Sequence, residues 1–149
     1  MRFLVAALAI VMCLAALGAG ENVSAGERPP SPFTYVDVFI DPHGSPLAAY
    51  QFELRATAGD VKLVGIEGGE HKAFAAPPYY DSKALLVERI VIAAFNTGSD
   101  LPAAKTRIAR LMVRVGETKP KYDVKLQVCA SADAKPVMGE ISISEGAAQ

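Results

Sequence analysis

From Thr34 onward, apolar and polar side chains alternate with a period of two residues, the repeat of a strand that buries one face. In "TYVDVFI", Val36, Val38 and Ile40 fall on one side and Tyr35, Asp37 and Phe39 on the other. "DPHGSP" then supplies Pro42, Gly44 and Pro46 as turn residues. "LAAYQFELR" sets Tyr50, Phe52 and Leu54 against Gln51, Glu53 and Arg55. A third strand is predicted over "VKLVGIEG", with Val61 and Leu63 on one face and Gly68-Gly69 as its turn, where unusual torsions cost glycine little. "RIVIAAF", Arg89 to Phe95, is apolar on both faces, which predicts a strand covered on both sides or lying centrally in its sheet. After the turn-rich "NTGSDLP", "TRIARLMVRV" places Ala109, Leu111, Val113 and Val115 one way and Arg110 and Arg114 the other. "YDVKLQVC" alternates most regularly, with Tyr122, Val124, Leu126 and Val128 inward and Asp123, Lys125 and Gln127 outward. "GEISIS" is the last predicted strand, and one helical turn is expected at "DSKALLVE", capped by Asp81 or Ser82.

Short strands with one apolar face bury those faces by pairing two sheets. The expected fold is therefore all-β, a two-sheet antiparallel β-sandwich over residues 34–145. The stretch before it has a different character. Arg2 is followed by "FLVAALAIVMCLAAL", with no charge, and then by small residues, the pattern of a secretory signal peptide. Residues 1–20 are read as that signal, with cleavage between about 18 and 25, and residues 21–33, "ENVSAGERPPSPF", as a flexible leader. The expected address is secreted or periplasmic, with no membrane contact beyond the signal segment.

Composition removes several function classes. Without Arg2, the 15 basic residues fall by one against 16 acids, and no Lys/Arg cluster with interleaved aromatics offers a nucleic-acid surface. Of the two cysteines, Cys13 lies in the signal, so Cys129 stands alone and is read as a small buried hydrophobe. There is no G-x-S-x-G and no glycine-rich loop opening a helix, so neither a nucleophile elbow nor a phosphate cradle is present.

The segment "VGIEGGEHKAFAAPPYYD" carries the candidate chemistry. Glu67, Glu70, His71 and Asp81 fall close together in sequence, and a metal-dependent hydrolase is the distant alternative they suggest. Their spacing matches no ligand motif, and His71 is read as an exposed loop residue, as His43 is in its turn. Paired carboxylates for glycoside hydrolysis, about 5 to 9.5 Å apart, have no sequence signature among Glu67, Glu70, Asp81 and Asp100. No catalytic residue, metal or cofactor is assigned, and the chain is expected not to be an enzyme. Binding is better served: Pro77-Pro78 restrain the backbone ahead of Tyr79 and Tyr80, whose rings are candidates for contacting a partner or a glycan. The chain has no tryptophan, which argues against a broad sugar-binding strip.

The order of "VDVFID", "GSPLAAYQFELRA", "VKLVGIEGGE", "RIVIAAF" and "TRIARLMVRV" resembles the cohesin domain of secreted bacterial proteins and the wider carbohydrate-binding-module superfamily. Leu47 to Leu54 and Val61 to Gly69 fill the places of the strand and the glycine-ended strand typical of such domains. The resemblance implies a jelly-roll sandwich of about nine strands. It implies a non-catalytic module mediating protein-protein interaction, typically with a calcium-loaded dockerin of a polysaccharide-degrading enzyme, the calcium belonging to the partner. A carbohydrate-binding module with a polysaccharide ligand is the alternative.

Overall fold

The computed structural model describes residues 32–147 other than Leu86, so the expected signal and nearly all of the leader lie outside the described residues. Each alternating segment forms a strand: β1 (Phe33–Asp41), β2 (Ala49–Ala58), β3 (Val61–Gly68), β5 (Arg89–Phe95), β6 (Thr106–Val115), β7 (Lys121–Ala130) and β8 (Glu140–Ala147). A two-residue strand, β4 (Tyr79–Tyr80), was not legible as one. The described residues thus supply eight strands, in two antiparallel sheets ordered β3-β6-β1-β8 and β4-β5-β2-β7. The expected all-β sandwich is the observed architecture. The turn expected at "DSKALLVE" is a short 3₁₀ turn, Ser82–Ala84, whose cap is Asp81: its Oδ1 accepts from the Lys83 N–H at 2.9 Å.

The inward faces form one core. Val36, Val38 and Ile40 of β1 meet Tyr50, Phe52 and Leu54 of β2, with Ile92 of β5 and Leu111 and Val113 of β6 beside them. Burying a large apolar side chain is worth about 1.5–3 kcal/mol, so this set is the main source of stability.

Of the four register shifts among the described strands, three decide which side chains face the core. In β3 the pairing slips between Leu63 and Gly65, leaving Val64 exposed and turning Ile66 inward. In β6 the slip opposite Val38 and Phe39 buries Ile108 and Ala109 in succession. A bulged residue is left out of the ladder, and the Ile108 carbonyl accepts the Tyr50 hydroxyl at 3.0 Å inside the core. Burial pushes the Tyr50 hydroxyl pKa well above its ordinary value. In β7 the slip opposite Gln51 and Phe52 reverses the expectation for Val128: it faces outward, 42% exposed, while Cys129 packs against the core. Burial raises the Cys129 thiol pKa, in keeping with an inert side chain.

Candidate functional site

The long connection between β3 and β5 is seated on the end of the sandwich. Gly68 and Gly69 do not adopt positive φ; among the described glycines only Gly44 and Gly59 do. They are needed for space: a Cβ on Gly68 would lie 2.5 Å from the Ala75 carbonyl carbon and 2.6 Å from the Ala76 oxygen. On Gly69 it would lie 2.9 Å from the Ile108 Cα. The chain can therefore fold back over its own strand, and the Gly69 N–H donates to the Phe74 carbonyl at 2.7 Å. His71 caps the 3₁₀ turn Lys72–Phe74, its Nδ1 accepting from the Ala73 N–H at 3.2 Å. That turn drives Phe74 into the core, edge-on to Tyr50 at 5.1 Å.

Pro77 and Pro78 then extend the backbone into β4, where Tyr79 pairs with Ala93 and Tyr80 with Ile92 of β5. Successive strand residues point to opposite faces. Tyr80 turns inward and packs against the core; Tyr79 points out and is 68% exposed. Its ring stacks on Phe95, itself 66% exposed, with centroids 6.0 Å apart and planes 11° from parallel.

Residues paired across strands share a face. On the outer face of this sheet, Phe95, Ala49 and Ala130 form one row across β5, β2 and β7. Tyr79, Ala93, Gln51 and Val128 form the next. Val91, Glu53 and Lys125 follow, then Arg89, Arg55 and Asp123. The face passes from apolar at the Phe95 rim to charged at the opposite end. β5 does lie inside its sheet, but its outward residues are not covered, contrary to one reading of its two apolar faces.

The other sheet covers its outward rings with its own side chains. Arg110 donates from Nε and Nη2 to the two carboxylate oxygens of Asp37 at 2.7 and 2.8 Å, and its guanidinium stands 4.1 Å from the Tyr35 ring centre. The Tyr35 ring lies across Gly146 of β8, and Lys105 sits 5.6 Å from the Phe39 ring centre.

The acids and histidines of the connection do not gather. Glu67 pairs with Arg110 across β3 and β6; Asp81 caps its turn; Asp100 holds Lys72, with the His71 Nε2 at 3.9 Å. Among the described residues no group of three or more His, Cys, Asp or Glu is placed to hold a metal ion. His43 sits in its turn at φ 49°, as a turn residue. Glu70 instead fastens the connection to the start of β6, accepting from the Arg107 N–H at 2.9 Å and the Thr106 hydroxyl at 3.1 Å.

Those bonds, the Arg107 N–H foremost, hold the Glu70 carboxyl below its ordinary range. A depressed carboxylate stabilises the fold fully above the unfolded value of about 4.3, and the contribution is lost as pH falls through the lower folded value. Because Glu70 is exposed, about 0.5 kcal/mol is expected. Urea midpoints of the parent protein and Glu70→Gln should differ at neutral pH and converge in acid; a difference that persists in acid would contradict this role.

Beside Phe95 lies a depression of about 180 Å³ with Ala49, Ala130, Ala132 and Ala134 in its lining. That is smaller than the roughly 300–1,000 Å³ of small-molecule pockets and suits a single inserted side chain. A larger hollow of about 450 Å³ lies near Tyr122 and Glu145, but Lys119 and Lys121 line it with solvated side chains.

Of the two tyrosines singled out in the sequence, the structure brings Tyr79 to the exposed face and gives Tyr80 to the core. Phe95 was missed; the cue was an aromatic at the end of an apolar strand, next to "NTG". Compared with known proteins, the chain matches no family model, no curated protein and no solved structure.

Proposed function

We propose that this protein is a secreted, non-catalytic binding module of the cohesin type that engages a protein partner through the outer face of the β4-β5-β2-β7 sheet. One observation carries the reading: two large aromatic rings, Tyr79 and Phe95, stand stacked and more than half exposed on a regular, open sheet face. Leaving such rings in water forgoes about 1.5–3 kcal/mol of burial for each, and exposed aromatic patches of this kind mark interaction surfaces. The mixed apolar and polar rows around them resemble the composition of a protein interface. The resemblance in strand order adds the expectation of a dockerin-like partner in polysaccharide degradation and of a jelly-roll sandwich.

The near-parallel rings also favour a second reading, a carbohydrate-binding module, since flat rings stack on sugar faces. Immobilised protein exposed to the proteins secreted by its own cells should retain one dominant species, and Phe95→Ala or Tyr79→Ala should weaken retention by about tenfold or more. Retardation in a polysaccharide gel, abolished by the same substitutions, would transfer the site to a glycan. Retention that ignores both substitutions would place the binding surface elsewhere.

A further inference from the structure

We infer that the partner of this face is a protein segment presenting a bulky apolar side chain at one end and aspartate or glutamate several residues away, the apolar group seated beside Phe95 and the acids over Arg55, Arg89 and Lys125. The inference rests on the reading that this face binds protein, and adds the chemistry and orientation of what it binds.

Two features of the face define that chemistry. At its apolar end, the Phe95 ring and the alanines of β2, β7 and the following turn border a depression of one side chain's size. Alanine is too short to fill it, so a partner side chain gains burial there by displacing only water. At the far end, Arg55, Arg89 and Lys125 stand against Glu53 and Asp123.

Height above the sheet matters as much as the count. Glu53 is pinned by Arg89 at 2.7 Å and approached by Arg55 at 3.8 Å, and its side chain is only 19% exposed. The Arg55 and Arg89 side chains are 53% and 50% exposed. The hydrogen bond from Arg89 keeps Glu53 ionised to lower pH than usual, so it neutralises one cation and no more. Lys125 is exposed and has no ion-pair partner of its own among the described residues. Asp123, exposed opposite Arg55, offsets a second cation, so this end projects a single surplus positive charge, with Lys125 the cation left over.

A surface apolar at one end and basic at the other is complemented by a segment apolar at one end and acidic at the other. A second copy of this chain does not supply it. Related by a two-fold axis, a copy brings the basic end either against itself or against the apolar rows, and both leave the surplus cation of each copy without a carboxylate.

The test is selection of a phage-displayed library of random linear peptides on the purified protein, with Phe95→Ala as the counter-selection. Peptides carrying Asp or Glu about four to six residues from a Leu, Ile, Met or Phe are expected, the span from Phe95 to the rows of Val91 and Arg89 at about 3.3 Å per residue. Their affinity should fall about tenfold on Lys125→Glu, a substitution at an exposed position, and fall again as salt is raised. Ala49→Trp, which fills the depression, should remove the preference for the apolar residue. Peptides that need Phe95 but are neutral or basic, or that bind Lys125→Glu equally well, would overturn the acidic partner while leaving the binding face in place. If no selected peptide depends on Phe95, or if the protein pairs with itself through this face in sedimentation, the reading of the face as a docking site for another protein falls, and this inference with it.

Discussion

Gly68→Ala is expected to lower stability by about 2–3 kcal/mol, with a reduced urea midpoint and an unchanged slope. The reason is what surrounds the position. A methyl group there meets the main chain of Ala75 and Ala76, not the movable end of a side chain. Neither side can retreat cheaply. Gly68 is paired with Ala109 in the sheet, and its carbonyl accepts from the Arg107 Nη1 at 3.2 Å. The opposing segment is held by the Gly69 to Phe74 hydrogen bond, by Asn96, which donates from Nδ2 to the Ala73 carbonyl at 2.9 Å, and by Phe74 itself, 3% exposed in the core. Relief requires lifting the connection, and lifting it withdraws Phe74 from Tyr50.

The same displacement reaches the candidate site, because Tyr79 enters β4 only a few residues beyond Ala75. Gly68→Ala should therefore weaken binding at the Tyr79 and Phe95 face as well as stability, whereas Gly44→Ala, in open space at φ 86°, should cost only its local backbone strain. A Gly68→Ala protein with the parent midpoint would show that the connection is not seated against β3.

Much of this fold can be read from local pattern. A strand that buries one face must alternate, so Val36, Val38 and Ile40, or Tyr50, Phe52 and Leu54, declare their own side of the sheet. The reading fails where the alternation slips. A bulge inserts one residue and reverses every side chain after it, and nothing in "YDVKLQVC" distinguishes a regular run from one bulged at Gln127. Val128 is therefore outside and Cys129 inside.

The site was harder to read because exposure is a property of the assembled sheet. Pro77-Pro78 signalled that the tyrosines enter as extended chain, but only the pairing of Tyr79 with Ala93 decides which ring is outermost. Phe95 belongs to a strand apolar on both faces, and such a strand reads as covered whether its outer face is buried by another element or left free for a partner. His71 and Glu70 posed the opposite difficulty. Their chemistry suggested a ligand site, while their hydrogen bonds to the Ala73 and Arg107 N–H groups show them holding a loop in place.

The outer face of the other sheet depends on one carboxylate. Asp37 is 8% exposed, accepts both bonds of a bidentate pair from Arg110 and has the Arg107 Nη1 at 3.8 Å. Asp37→Ala is expected to cost about 2–3 kcal/mol in urea unfolding, less than the loss of one partner of a fully buried pair, because the Arg110 side chain retains 31% exposure and part of its hydration. The larger part of that cost is the stranded cation. Arg110→Met in the Asp37→Ala background should recover about half of the loss, since methionine keeps an apolar stem against Tyr35 and leaves no charge to solvate. Non-additivity of that size, about 1 kcal/mol or more in a double-mutant cycle, would mean that the two side chains act as one unit. Additive effects of the two substitutions would mean instead that the sheet owes its stability to strand pairing and core burial alone, with the ion pair serving only to cover the Tyr35 ring.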